Sequence, residues 1–152
     1  MQQSTTESVL NNFLQNLARQ DAAGIQASFA DTIDWYVPGD PALPWTGART
    51  RGSEVAAYFH TMWPHFVPGQ SSASVQNLLV SGEDAVIFGT FSHTAASTGQ
   101  HFQTPVALHL KVVEGKIRQL HLYEDTWLVS KALAPEVQRS SAPADLTTGG
   151  RR

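Results

Sequence analysis

The sequence contains no cysteine, which excludes disulfides, thiolate metal sites and cysteine nucleophiles. Two glycine patterns are also missing, G-x-x-x-x-G-K-[ST] and G-x-G-x-x-G, and with them the usual signals of phosphate and dinucleotide binding. The 11 glycines fit turns instead. We therefore expect a protein that acts without a cofactor.

Charged residues are sparse, at 15% of the chain, with a net charge of −3. This balance gives no basic surface for nucleic acid or for an anionic membrane, and no apolar run is long enough to span a bilayer. The first residues lack the basic and apolar regions of a signal peptide, so we expect a cytoplasmic protein. A chain of 152 residues that is 41% hydrophobic predicts one domain with a substantial core.

Helices are predicted mainly in the first half of the chain. The first begins near Thr5, where apolar residues start to recur at three- and four-residue intervals. Asp21 can cap a short second helix, and the third covers about residues 53–66. A last helix follows Asp125, which is a typical N-cap residue, and stops before Pro135.

Alternating apolar and polar residues predict strands at about residues 32–37, 72–80, 85–95, 101–113 and 117–124. Short turns separate the last four strands and favour an antiparallel meander. Helices that precede a curled sheet indicate an α+β fold, in which one layer of helices lies against a bent sheet and leaves a pocket at the open end. We expect a single domain over residues 1–135 and a flexible tail over 136–152, because the tail is small, polar and poor in apolar residues.

The segment 33–52 organises this arrangement. Its strand stops at Pro38 and Gly39, and a proline-stiffened loop with Trp45 follows. We expect the loop over residues 38–50 to form the rim or lid of the pocket, with Trp45 at its mouth. The alternative is that Trp45 plugs the end of the core.

Three stretches, taken with the order of elements, resemble the nuclear transport factor 2-like superfamily, and within it the SnoaL-like, ketosteroid isomerase-related proteins. They are D-A-A-G-I-Q-A-S-F-A-D at residues 21–31, V-P-G with L-P-W-T-G and R-G-S-E-V-A-A-Y-F at 37–59, and E-G-K-I followed by L-Y-E-D-T at 122–126. The resemblance implies a cone-shaped, curved, mostly antiparallel sheet with three to four helices on its concave side. It also implies a small-molecule isomerase, cyclase or hydrolase, or else a non-catalytic module that binds a ligand or a protein partner.

The catalytic sets of two related enzymes are missing from this sequence. In an alignment by eye, Tyr36 takes the position of the aspartate base of ketosteroid isomerase. The Asp-Arg-Asp set of limonene epoxide hydrolase falls on Ser92, Thr90 and Leu122. We therefore do not expect either reaction by those particular constellations.

The same alignment, with the alternation of side chains along strands, implies which residues face the pocket. From the strands these are Asp34, Tyr36, Phe88, Thr90, Ser92, Leu120, Leu122 and Glu124. Phe13, Leu17, Tyr58, Met62 and Trp63 would close the pocket from the helices. Such a pocket suits a hydrophobic, oxygenated small molecule.

Asp34 and Glu124 are the carboxylates predicted in this pocket, and hence the candidate general acid and base. Tyr36 is the candidate donor to a substrate oxygen. Two alternatives stay open: Asp34 lies at a wet rim, and Glu124 pairs with Arg49 or Arg51.

Three histidines on neighbouring strands, His93, His109 and His121, should face outward. Three such residues could bind zinc, but no carboxylate shares their spacing, and we expect no metal site. Outer sheet faces in the resembling superfamily often form dimer contacts, so we expect a homodimer through this face.

Overall fold

The computed structural model describes residues 2–134, with side chains from residue 5 onward, and shows an α+β fold. Its helices are α1 (Gln2–Ala18), α2 (Ala22–Ala27), α3 (Val55–Met62) and α4 (Thr126–Leu133). Its strands are β1 (Phe29–Val37), β2 (Gly47–Arg51), β3 (Ser72–Ser81), β4 (Asp84–Thr94), β5 (His101–Val113) and β6 (Lys116–Glu124). The predicted tail over residues 136–152 lies outside the described residues.

The six strands form one curved, unclosed sheet in the order β2-β1-β6-β5-β4-β3. β1 and β6 pair in parallel, and the other four pairs of neighbours are antiparallel. The predicted α+β class and the mostly antiparallel sheet are confirmed. The apolar inner face of the sheet packs against α1 and α3, and the shared core contains Leu10, Phe13, Trp35, Tyr58 and Phe59.

Side-chain caps fix the starts of two helices, as the sequence predicts. Asp21 Oδ1 accepts a hydrogen bond from the Gly24 N–H at 3.0 Å, and Asp125 Oδ1 accepts one from the Leu128 N–H at 3.1 Å.

The third helix is shorter than predicted. Only Val55–Met62 is α-helical, and 3₁₀ turns flank it at Gly52–Glu54 and Trp63–His65, the second of which contains Pro64, a residue that cannot continue an α-helix.

β2 was not predicted, because residues 47–50 were expected to belong to the loop over 38–50. It pairs antiparallel with β1, with Gly47 opposite Val37 and Ala48 opposite Tyr36. The sequence G-A-R-T-R has no apolar alternation, because the strand is only partly buried and is held by the backbone ladder. Only residues 38–46 form the loop.

The structure places the side chains of β1 and β4 on the face opposite to the one predicted, and those of β6, including the buried Leu120 and Leu122, on the inner face. On both β1 and β4 the alignment by eye was displaced by one residue, which moves every side chain of a strand to the other face. The residues that lie on the outer face instead of the pocket face are Asp34, Tyr36, Phe88, Thr90 and Ser92. On β1, burial favours the apolar set Ile33, Trp35 and Val37.

Gly89 marks a close approach of two strands where the sheet bends. A Cβ at this position would collide with the Ser74 carbonyl oxygen of β3, and the pairing of β3 with β4 shifts register between Val75 and Asn77. Irregular pairing of this kind bends a strand and increases its twist. The bend divides β4 into two parts. The first part packs in the hydrophobic core, and the second part, which contains Phe91 and His93, lines a cavity.

Candidate functional site

The concave side of the sheet encloses a cavity of about 510 Å³, a volume typical of small-molecule sites. Its walls are mainly apolar and rich in aromatic side chains, with a few polar groups between them. The aromatic lining residues are Phe13, Trp35, Trp45, Tyr58, Phe59, Trp63, Phe66, Phe91 and Phe102. The polar side chains that matter for chemistry are Glu124 on β6, Tyr58 on α3, and His93 with Ser71 at the β4 side.

Nine of the predicted site residues line this cavity, namely Phe13, Leu17, Trp45, Tyr58, Met62, Trp63, Leu120, Leu122 and Glu124. The five on the outer face do not. Asp34 has a side chain that is 68% exposed, and its carboxylate lies 2.9 Å from His121 Nε2. Tyr36 is 48% exposed. Of the three predicted catalytic residues, the cavity therefore contains Glu124 alone.

Glu124 lies on the inner face at the end of β6, and its side chain makes no hydrogen bond or ion pair to any residue of the described chain. The predicted alternative, a pairing with Arg49 or Arg51, is not formed. Arg49 instead donates to the carbonyl oxygens of Trp45 and Thr46 at 3.3 and 3.4 Å. Burial, and secondarily the neighbouring Asp125 charge, raises the pKa of Glu124 to about 7. The carboxyl group is thus poised to gain or lose a proton near neutral pH.

Tyr58 was predicted only as an apolar wall residue, but it also brings a phenol group to the residues that line the cavity. Burial, and then the charge of Glu124, raises the pKa of Tyr58 well above its usual range, so the phenol stays protonated. Its ring packs edge to face on Trp35 with centroids 4.8 Å apart, and the Arg49 guanidinium lies 5.6 Å from its centre. The hydroxyl makes no hydrogen bond within residues 5–134, which leaves it free to donate to a ligand.

His93 was predicted to face outward, and the structure shows the opposite. It lines the cavity, its Nδ1 is 2.8 Å from Ser71 Oγ, and its ring stacks on Phe66 with centroids 4.4 Å apart. Burial, and secondarily His101, lowers the pKa of His93 to about 4, so the imidazole is neutral at physiological pH. The sequence of β4 carries little signal of this facing, because apolar residues run without alternation from Ala85 to Phe88.

The other two histidines face outward as predicted. His109 Nε2 lies 3.1 Å from an Asp84 oxygen, and its Nδ1 lies 3.0 Å from Gln119. His121 pairs with Asp34. No group of three or more histidine, aspartate or glutamate side chains in the described chain has the arrangement of a metal site.

Trp45 is 3% exposed, which agrees with the alternative that its ring plugs the end of the core. It lines the cavity and packs on His65 and Phe66, with centroid distances of 5.0 and 5.8 Å. Its loop is held by the Thr46 hydroxyl, which donates to the Leu43 carbonyl at 2.9 Å, and by the Asp40 carboxylate, which accepts from Ser130 at 2.9 Å. Trp45 is therefore part of both the core and the cavity wall.

Solved crystal structures share this architecture. An NTF2-like protein from Burkholderia thailandensis E264 is 24% identical with a TM-score of 0.75, over 86% of this chain and 98% of that one. TerC co-crystallized with polyporic acid is 13% identical with a TM-score of 0.75, over 85% and 98%. An LEH-like epoxide hydrolase of M. tuberculosis is 16% identical with a TM-score of 0.66, over 86% of each chain. At these identities the likeness establishes a common NTF2-like fold.

The family follows from the sequence itself. The model of the SnoaL-like domain matches residues 10–120, so the chain belongs to the SnoaL-like family. A comparison with curated proteins found no significant match. Within the described residues, no helix is both long and apolar enough to cross a membrane.

Proposed function

We propose that this SnoaL-like protein is a cofactor-independent enzyme that binds an uncharged, mainly apolar, oxygenated small molecule and transfers a proton on it through Glu124. The observation that carries the proposal is an unpaired carboxyl group in an aromatic cavity, with its pKa raised to about 7. General acid–base catalysis is most effective when the pKa of the group lies near the working pH. Isomerases, cyclases and hydrolases all use such a step.

Tyr58 complements Glu124 in this scheme. When the Glu124 carboxylate removes a proton from carbon next to a carbonyl group, negative charge develops on the carbonyl oxygen. A protonated phenol that donates a hydrogen bond to that oxygen stabilises the charge. The pKa of Tyr58 is raised, so its proton is not lost, and both groups line one cavity.

The residues of the cavity wall favour an uncharged ligand. The lining contains one cationic residue, Arg19, and it is exposed at the end of α1. An anionic ligand in the buried part would lose its hydration without gaining an ion pair. Structural neighbours include an LEH-like epoxide hydrolase and a protein crystallized with polyporic acid, which supports a small molecule as the ligand.

The test measures exchange of carbon-bound hydrogen in D₂O. Two neutral bicyclic ketones, 2-tetralone and 1-indanone, serve as probes, and NMR follows the loss of their α-hydrogen signals. We expect catalysed exchange by the parent and a rate at least about 10²-fold lower in Glu124→Gln, which keeps the volume and removes the ionisation. Glu7→Gln, the same change at an exposed position of α1, is the matched control. An exchange rate in Glu124→Gln within about threefold of the parent rate would contradict a catalytic role for Glu124. So small a change is far below the usual effect of removing a general acid or base.

A non-catalytic ligand-binding module is the second candidate. It is favoured by the absence, in the described chain, of a hydrogen bond that orients the Glu124 carboxylate, because catalytic groups are usually held in position by neighbours. Probes that bind in the cavity without any catalysed exchange would support this candidate over the enzyme.

We further propose that the protein is a homodimer through the outer sheet face. Phe88, Ala107 and Tyr123 lie opposite one another on β4, β5 and β6. Phe88 is 43% exposed and Tyr123 is 57% exposed. A row with an exposed aromatic side chain at each end, on a central part of a sheet, is typical of a surface that another protein covers.

A further inference from the structure

We propose that His93 and Ser71 form a second polar subsite that hydrogen-bonds an oxygen of the ligand at the end opposite Glu124 and Tyr58. The ligand would then be an elongated, uncharged, aromatic or fused-ring molecule with a hydroxyl or carbonyl oxygen at each end. This inference rests on the proposed function, because it assumes that the cavity binds a small molecule.

The sheet register places the two polar sites far apart. His93 pairs with Phe102 on β5, and Glu124 pairs with Val106 on the same strand. Phe102 and Val106 are four positions apart, which corresponds to roughly 13 Å along β5. A single functional group of a ligand cannot contact both sites, whereas a molecule with two or more rings can.

The hydrogen bonding of His93 leaves one nitrogen for a ligand. Nδ1 is engaged by Ser71 Oγ, and Nε2 makes no hydrogen bond to any residue of the described chain. Among the described residues, the fully buried side-chain nitrogen or oxygen without a hydrogen-bond partner is Trp35 Nε1. His93 Nε2 also lacks a partner, so it is not fully buried and keeps solvent-accessible surface. Because Nε2 is unpaired and accessible in a residue that lines the cavity, a ligand oxygen can hydrogen-bond to it.

The ring of His93 is also held rigidly. Phe66 stacks on it at an interplanar angle of 25°, and the centroids of Phe102 and Phe91 lie 5.7 and 6.1 Å away. A donor or acceptor fixed in this way loses little freedom on binding. Because the imidazole is neutral and makes no ion pair within the described residues, it suits a hydroxyl or carbonyl group and not a carboxylate or phosphate.

The experiment compares two rod-shaped probes by isothermal titration calorimetry. 4-Phenylphenol has one hydroxyl, and 4,4′-dihydroxybiphenyl has one at each end. We expect the parent to bind the diol about 3- to 10-fold more tightly, the effect of one additional neutral hydrogen bond. The preference should fall below about twofold in His93→Phe, and also in Ser71→Ala, which keeps the ring packing if His93→Phe does not fold.

A matched control separates the subsite from the rest of the cavity. His101→Phe makes the same substitution at an exposed neighbour and should keep the preference. Equal binding of the two probes by the parent, or an unchanged preference in both His93→Phe and Ser71→Ala, would overturn the second subsite and leave the proposed function standing. Failure of the parent to bind either probe would overturn both.

Discussion

Glu124 and His93 line the same cavity, yet burial moves their pKa values in opposite directions. Desolvation disfavours the charged form of each group, which is the anion for glutamate and the cation for histidine. Both side chains are therefore neutral over part of the range between pH 4 and pH 7. The cavity in that range has two uncharged polar groups, and a neutral ligand meets no unpaired charge.

The raised pKa of Glu124 predicts a specific pH dependence of stability. The folded pKa is about 7 against 4.5 for the free side chain, so the folded state holds more protons between these values and its stability falls as pH rises through them. Glu124→Gln removes this effect. We expect the variant to match the parent near pH 4.5 and to exceed it above pH 7, by on the order of 2–3 kcal/mol in free energy of unfolding, measured by urea denaturation.

Parent and variant must be compared at each pH, because the pKa shift of His93 changes the stability with pH in the opposite direction to that of Glu124. Its folded pKa is lowered to about 4 from 6.5, so its contribution to stability is lost as pH falls through that window. The two effects partly cancel in the parent, whereas the difference between parent and Glu124→Gln isolates Glu124. A difference that stays constant from pH 4.5 to pH 8 would show that Glu124 is not desolvated.

At the scale of elements, the loop between β1 and β2 forms one wall of the cavity through Trp45. Removing this side chain tests whether the loop is a lid or part of the core. With the ring 3% exposed and packed on Phe66, we expect Trp45→Ala to lower the free energy of unfolding by about 3–5 kcal/mol, with a matching fall in Tm. Pro44→Ala, at the exposed adjacent position, is the control. A Tm within a few degrees of the parent, together with weaker binding of 4-phenylphenol, would show that Trp45 is a lid.

The elements themselves were largely predictable, because local chemistry determines them. Asp21 and Asp125 are cap residues, and their hydrogen bonds to the backbone are local. β5 and β6 have clear alternation, and turn residues separate the long strands. β2 was not predictable, since its partly buried G-A-R-T-R sequence contains no apolar pattern and its stability comes from pairing with β1.

The site was less predictable than the fold, because alternate side chains of a strand face opposite sides of the sheet. An alignment that is displaced by one residue exchanges the side chains assigned to the two faces. That displacement put Asp34 and Tyr36 in the predicted pocket and His93 outside it. On β1 the apolar residues at 33, 35 and 37 were sufficient to correct it. The pKa shifts of Glu124 and His93 depend on tertiary burial and could not be read from sequence.

At the scale of the whole molecule, the sheet has two faces with different chemistry. The inner face is closed by α1 and α3 and contains the cavity. The outer face combines the aromatic row of Phe88 and Tyr123 with polar pairs such as Asp34–His121 and Asp84–His109. A face of this mixed kind resembles a non-obligate protein interface, with an apolar centre and a polar rim.

The dimer proposed for this face can be tested by placing charges at its centre. In a homodimer, Phe88→Glu with Tyr123→Glu would introduce two unpaired carboxylates per subunit into a buried surface. We expect sedimentation or light scattering to give a dimer mass for the parent at micromolar concentration and a monomer mass for the double variant, with unchanged circular dichroism. Val75→Glu, at an equally exposed residue of the edge strand β3, lies outside the row and should leave the dimer intact. A monomeric parent at high micromolar concentration would contradict the proposal. So would a double variant that remains dimeric, because the interface would then have to lie on another surface.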